Sequence, residues 1–344
     1  MSIRTLLLTL VAVLSTSALA EPVAHLYQVR EPAGEGVSRE VLLGRALDTL
    51  IVRLTGRLDA PEQPALSGLR GDPQQLVSQF GFEGDGEALV VEFDAASSER
   101  ALRQAGLPLW GANRPLMLVW WLEEGVTDNH LLSDGQPGAE LLQRAAQHRG
   151  LPIRLPIGDL NEQLAADASA LAQAPEGPLA ELSDPYAADV LLTAVARREG
   201  NGWQADWRMA FLDQREQGRV SGADQAAVAD ALMLTVLQRL AAHFVAAPGA
   251  ASDLEVWIEG TDLDRFAELE RLLDGAGARL VRAEGERLVY QVRASAEQLR
   301  AQLGLLRLQE VTDEPVEPAA AAAEGETAAA PVEAAPANRL RFRW

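Results

Sequence analysis

Apolar residues along the chain follow two patterns, short strand-like runs and longer helical ones, and the two alternate. Residues 116–122 are continuously apolar, which is typical of a strand buried on both faces. Residues 188–196 and 203–212 predict two further strands, and Asn201-Gly202 between them is a strong hairpin signal. The alanine-rich stretch 224–245 predicts a long helix. Together these elements predict an α/β layer with a mixed sheet.

The predicted elements group into three units. Residues 21–112 predict a small N-terminal α+β domain, and residues 113–248 predict a middle α/β domain with a mixed sheet. Residues 252–311 have the order strand–helix–strand–strand–helix–strand, which predicts a C-terminal ferredoxin-like domain. The fold class is therefore a combination of α/β and α+β, and residues 107–115 are interpreted as the junction that locks the first unit onto the second.

The C-terminal residues 312–344 form a tail with an unusual end. Most of the tail is rich in Ala, Pro and Glu without apolar periodicity, so it predicts disorder. Its last residues alternate basic and apolar side chains. Two alternatives stay open: this end pairs with the protein's own third unit, or it binds a partner by adding a strand to an exposed edge. The candidate partner-binding residues are Arg339, Phe342, Arg343 and Trp344.

Residues 1–20 resemble a secretory signal peptide. Arg4 provides the charged start, residues 6–14 are an apolar run too short to span a bilayer, and residues 18–20 form a small-x-small cleavage site. We expect a cleaved signal, a periplasmic location and no transmembrane segment after cleavage. The alternative is an uncleaved N-terminal anchor.

Composition excludes several classes of function. The 344 residues carry a formal net charge of −20, which argues against nucleic acid as a partner. There is no cysteine, so disulfides, thiolate catalysis and cysteine-bound zinc are excluded, and only four histidines are available for metal or acid–base chemistry. We expect no cofactor and no metal site.

Motif searches predict no reaction. The chain has no Gly-x-Ser-x-Gly, no His-Glu-x-x-His and no lysine for a phosphate-binding loop. The candidates for catalysis are Glu123, Glu124 and Asp128, which follow the buried strand at the end where ligands bind in α/β sheets. They allow the hypothesis of an envelope glycan hydrolase, with a solvated loop as the simpler interpretation.

Tryptophans are concentrated in or beside the predicted strands. Core packing is the favoured interpretation, because indoles bury a large area. The alternative is a small-ligand-binding module with a tryptophan-lined pocket. The residues concerned are Trp110, Trp120, Trp121, Trp203, Trp207 and Trp257.

Several motifs together resemble a family of uncharacterised proteobacterial periplasmic proteins, a domain of unknown function designated DUF2066. They are Trp-Gly-x-Asn-Arg-Pro at residues 110–115, His-Arg-Gly-Leu-Pro at 148–152, and the segment 186–192 followed by Trp203 and Trp207. The resemblance implies an envelope location and no known activity. At the level of fold alone, the middle unit is similar to periplasmic assembly lipoproteins of the curli-secretion and penicillin-binding-protein-activator type. That similarity implies a protein-binding role, although the lipid-bearing cysteine is absent.

From these observations the sequence predicts an exported, non-enzymatic envelope protein. We expect an assembly or regulatory factor that acts through protein–protein contacts with an unidentified envelope protein. The glycan hydrolase and the small-ligand binder are the alternatives.

Overall fold

The computed structural model describes residues 23–311, apart from residues 24, 35, 126–127, 246–250 and 275–276, together with residues 338–344. The predicted signal segment and the predicted disordered residues 312–337 lie outside the described residues. The described chain is mixed α and β with three sheets, which confirms the predicted fold class.

The first sheet has three antiparallel strands in the order β1-β3-β2, packed against a long helix. This helix, α1, begins after the N-cap Ser38, whose Oγ accepts from the Val41 N–H. It ends at Gly56, where a φ of 69° requires the left-handed conformation that glycine adopts without strain. The elements of this part are β1 (Gln28–Pro32), α1 (Arg39–Thr55), α2 (Ser67–Gly71), β2 (Val77–Glu83), β3 (Ala88–Phe93) and α3 (Ala95–Gln104).

The second sheet is mixed, as the sequence predicted. Its order is β5-β4-β7-β8-β9, with β6 also paired to β4. Strand β4 is parallel to β6 and β7, whereas the other pairings are antiparallel. The elements are β4 (Met117–Glu124), β5 (Asn129–Leu132), α4 (Ala139–Arg149), β6 (Ile153–Arg154), α5 (Leu160–Ala165), α6 (Ala168–Gln173), α7 (Pro178–Ser183), β7 (Val190–Glu199), β8 (Gly202–Phe211), β9 (Gln214–Gly222) and α8 (Gln225–Phe244).

Helices cover the two faces of this sheet unequally. On one face α4 and α8 pack over the strands, and their apolar residues form one core with the inward side chains of β7 and β8. On the other face the short helices α6 and α7 contact Leu118, Trp120 and Leu122 of β4 through Leu171 and Leu179. No helix of the described part of the chain covers β8 and β9 on this second face.

Helix α8 is long and apolar enough to cross a membrane, the one such helix in the part of the chain that the structure describes. Length and apolar composition are weak indications on their own, because core helices share both properties. In this fold α8 buries Val228, Leu232, Val236 and Leu240 against the sheet and α4. Its apolar composition is therefore accounted for by its place in the core.

The third sheet contains the predicted strand–helix order and one strand more. Its order is β11-β12-β10-β14-β13. The C-terminal strand β14 lies between β10 and β13, parallel to β10 and antiparallel to β13. The elements are β10 (Ser252–Glu259), α9 (Leu263–Asp274), β11 (Arg279–Glu284), β12 (Arg287–Ala294), α10 (Ala296–Leu305), β13 (Gln309–Glu310) and β14 (Arg339–Arg343).

Two buried arginines join the first and second parts of the chain. Arg114 is fully buried, and its guanidinium donates to the backbone carbonyls of Arg53 and Gly150 at 2.6 and 3.0 Å. Arg53 in turn donates to the carbonyls of Leu26 and His148. Because carbonyls satisfy these donors, both arginines can be buried without a carboxylate partner.

Candidate binding cleft on the middle sheet

A cavity of about 570 Å³ lies on the open face of the second sheet. Its charged lining consists of Arg197, Arg208, Arg219, Asp206 and Glu124, and we call it the arginine cleft. Within its lining, three guanidiniums face two carboxylates, so the cleft has a positive excess although the whole chain carries −20.

The two-residue period of β-strands aims these side chains at the same face. Asp206 and Arg208 alternate along β8, and the antiparallel register places them opposite Arg219 and Gln217 of β9. Arg197 lies near the C-terminal end of β7. The apolar wall of the cleft comes from α6, through Leu171 and two alanines. The result is a charged sheet surface beside one apolar helix.

Asp206 organises two of the three arginines. Its carboxylate accepts from Arg197 at 2.7 Å and from Arg219 at 2.5 Å. Partial burial favours the neutral carboxyl, but the hydrogen bonds from Arg219 and Arg197 outweigh it and hold the pKa of Asp206 below its ordinary value. Arg197 also lies 3.9 Å from Glu124. Asp206 therefore fixes the positions of Arg197 and Arg219.

Arg208 differs from the other two arginines of the cleft because its hydrogen-bond partner is a neutral side chain. Its guanidinium donates to the side-chain amide oxygen of Gln217 at 2.5 Å. Among the described residues no carboxylate pairs with it. A guanidinium binds a carboxylate more strongly than an amide, because the hydrogen bond is then ionic on both sides. Arg208 is thus the group in the cleft that is best prepared to receive an anionic ligand.

The side chains of the cleft are suited to binding an anionic group. A general acid requires a carboxyl whose pKa is raised, and the pKa of Asp206 is lowered. Within the described ranges, no three His, Asp or Glu side chains are grouped closely enough to hold a metal ion. The guanidinium donors that point from this one face of the sheet are suited to binding a ligand with acidic groups.

Comparison with known proteins found one family model similar to the first part of the chain. The family described as a domain of unknown function (DUF8605) matches residues 20–111. No curated protein and no solved structure matches the chain. The matched range includes the first sheet and ends before the arginine cleft begins.

Two of the acidic residues singled out from the sequence, Glu123 and Glu124, lie on opposite faces of β4. Glu124 faces the arginine cleft, but its neighbour Glu123 points to the opposite face of β4 and accepts from the side chain of Gln225 at 2.9 Å. Asp128 is exposed in the turn that leads to β5. Glu123 and Glu124 therefore cannot flank one glycosidic bond.

Most of the tryptophans are core residues, as the favoured interpretation predicted. Trp110 stacks on Phe244 with ring centroids 5.0 Å apart. Trp257 is different, because it is only partly buried on the third sheet, with the guanidiniums of Arg287 and Arg339 over its ring. The fully or almost fully buried indoles are Trp110, Trp120, Trp121 and Trp207.

The candidate partner-binding residues at the C-terminus lie in the protein's own third sheet. Phe342 is 2% exposed and belongs to the core of that part. Arg339 pairs with Glu255 at 3.0 Å and Arg343 with Glu259 at 2.9 Å. Of the two arrangements that the sequence left open, the structure contains pairing within the chain.

Glu259 receives several arginines from this sheet. Hydrogen bonds from Arg343, Arg341 and Arg287 lower the pKa of Glu259 to about 2. The indole of Trp344 lies under the guanidinium of Arg265 at 5.3 Å. The two β14 guanidiniums on Glu259, together with the burial of Phe342, account for the position of the C-terminal strand.

The arginine cleft was not predicted from the sequence. The available signal was the alternation of charged or polar residues within single strands, as in Asp206 and Arg208 or in Arg215, Gln217 and Arg219. That alternation marks a polar strand face, but it does not reveal which strands are neighbours. Only the order and register of β7, β8 and β9 bring the arginines together.

Proposed function

We propose that this protein is an exported, non-enzymatic factor of the bacterial envelope that acts through protein–protein contacts. Its arginine cleft holds an acidic segment of a partner protein. The observation that carries the proposal is the set of three guanidiniums on one open sheet face, of which Arg208 donates to an amide oxygen. A carboxylate of a partner replaces that amide with a stronger acceptor.

The envelope location is supported by the sequence. The signal-like residues 1–20 and the resemblance to an envelope family both favour export. We expect the chain to be recovered from the periplasmic fraction with Glu21 as its first residue. A chain that stays in the cytoplasm, or that remains membrane-bound with its N-terminus intact, would contradict this part of the proposal.

Neither alternative is favoured by the geometry. A glycan hydrolase needs two carboxyls on either side of one bond, and Glu123 and Glu124 lie on opposite faces of β4. A tryptophan-lined pocket needs accessible indoles, and four of the tryptophans are buried. The arginine cleft requires no side chain to leave its place in the core.

Crosslinking in living cells tests the proposal. A photo-reactive residue replaces Gln217 at the edge of the arginine cleft, and a matched one replaces the exposed Arg100 on α3. We expect an adduct with an acidic envelope protein from position 217 only, and we expect it to disappear when Arg208→Gln is added. The same adducts from both positions would refute a specific contact at the cleft.

A further inference from the structure

We infer that β9 receives the acidic segment of the partner as an additional strand of the second sheet. This inference rests on the proposed function of the arginine cleft and specifies how the ligand is held. The ligand it identifies is an extended polypeptide with acidic side chains at three alternate positions.

Strand β9 is an edge of the sheet. It pairs with β8 on one side, and no strand among the described residues pairs with its other side. It spans Gln214–Gly222, nine residues, and every one of them is at least partly exposed. Its outer N–H and C=O groups are therefore available to an added strand, which is a common way for proteins to bind extended peptides.

Alternate residues of β9 present donors towards the arginine cleft. Arg215, Gln217 and Arg219 share this face, because the register with β8 pairs them with Ala210, Arg208 and Asp206. Arg215 reaches Glu176 at 2.8 Å, although both side chains are more than half exposed. Such an exposed ion pair contributes little, so Arg215 can exchange its partner at small cost.

This spacing determines the ligand's side chains. In a strand paired with β9, three alternate residues lie beside Arg215, Gln217 and Arg219. Acidic side chains at the outer two positions meet the two arginines directly. An acidic side chain at the middle position meets the amide of Gln217 and displaces it from Arg208, which lies behind it. The three carboxylates then match Arg215, Arg208 and Arg219.

The opposite face of β9 is already packed against the protein. Glu216 pairs with Arg239 of α8 at 3.2 Å, and Val220 packs at the border of the core. Gly218 lies under the ring of Trp207, where a Cβ would come within 2.8 Å of the indole. This face holds β9 in place, so the edge is a fixed template rather than a strand that must first be ordered.

Fluorescence anisotropy with synthetic peptides tests the inference on the full mature chain. The first peptide is as long as β9 and has Glu at three alternate positions, and its isomer has the same three Glu residues consecutively. Two further versions of the first peptide carry backbone N-methyl groups at alternate residues, one at odd and one at even positions. An N-methyl group blocks strand pairing only where the N–H points to β9.

We expect the alternate-Glu peptide to bind, and the consecutive isomer to bind at least about tenfold more weakly. One N-methylated version should lose binding, whereas the other keeps it. Arg208→Gln should weaken binding about tenfold or more, with Arg100→Gln as a charge-matched control that leaves the affinity unchanged. The thermal melt of each variant confirms that the fold is retained.

The outcomes separate the inference from the proposed function. If both N-methylated versions bind equally, or if the consecutive isomer binds as well as the alternate one, strand addition at β9 is overturned. The proposed function survives that result as long as Arg208→Gln weakens binding and Arg100→Gln does not. If no acidic peptide distinguishes the native chain from Arg208→Gln, the proposed function fails as well.

Discussion

Arg114 offers a direct test of how the first and second parts of the chain are joined. Its guanidinium is completely buried and donates to five backbone carbonyls, at distances from 2.6 to 3.3 Å. It also lies 4.4 Å from the ring of Trp110. Burial lowers the pKa of Arg114 to about 9, so the side chain is still charged at neutral pH. The perturbation is Arg114→Met, which keeps most of the volume and removes every donor.

The expected loss in the free energy of unfolding comes from the backbone carbonyls that no longer receive a hydrogen bond from Arg114. A buried polar group without a partner costs about 1–3 kcal/mol, and five carbonyls lose a donor in this variant. The methionine, however, avoids the desolvation of a buried charge, which is several kcal/mol and opposes that loss. We therefore expect a net decrease of about 3–5 kcal/mol in the free energy of unfolding.

Urea denaturation followed by tryptophan fluorescence measures this decrease, because Trp110 lies next to the mutated side chain. The control is Arg154→Met, which removes an exposed arginine with one bond to the Tyr186 carbonyl. We expect the control to change the free energy of unfolding by less than about 1 kcal/mol. If Arg114→Met and Arg154→Met were equally mild, Arg114 would not be the joint described above.

Three further predictions concern the ion network at the same junction and the C-terminal strand. Burial disfavours the charged form of His148, but its hydrogen bonds to Asp230 and Glu31 outweigh burial and raise its pKa. The charged His148 therefore stabilises the fold at pH values below the ordinary histidine pKa, and this stabilisation is lost as the pH rises through the raised pKa. His148→Gln should therefore lower the urea midpoint more at pH 5.5 than at pH 8.5, and shifts of equal size at the two pH values would refute this role of His148. Burial also disfavours ionised Asp230, but the hydrogen bonds from His148 and Arg149 hold its pKa at about 2. Asp230→Asn should therefore lower the free energy of unfolding at pH 6 and lower it much less near pH 2. Equal losses at the two pH values would contradict the assignment. In the third sheet, Phe342→Ala should lower the free energy of unfolding, measured by urea denaturation, by about 3–5 kcal/mol. The exposed Arg343→Gln should lower it by less than about 1 kcal/mol. Comparable losses in the two variants would show that Phe342 does not anchor β14.

The elements that were predicted correctly are those whose sequence signals lie within a few neighbouring residues. The second helix predicted within residues 252–311 is α10, which begins directly after Ser295 because the side chain of Ser295 accepts from the Gln298 N–H. The apolar run at 116–122 includes the first six residues of β4, 117–122, all of which are buried. The Asn201-Gly202 signal lies at the turn between β7 and β8. In each case the deciding interaction lies within a few residues.

Long-range pairing could not be predicted from the same patterns. Strand β14 pairs with β10, which lies 84 residues earlier at Glu255 and Arg339. Its alternating side chains fitted either an internal strand or a partner-binding tip, because the alternation does not say which edge is complementary. The arginine cleft could not be predicted for the same reason, because its charges come from four strands whose order is a property of the whole sheet.

The central claim is that the arginine cleft and its edge strand bind an acidic segment. Hydrogen exchange at residue resolution, with and without the alternate-Glu peptide, measures this most directly. We predict new protection at alternate amides of β9, between Gln214 and Gly222, and none in the edge strand β11 of the third sheet. Unchanged exchange along β9 in the presence of bound peptide would contradict the claim.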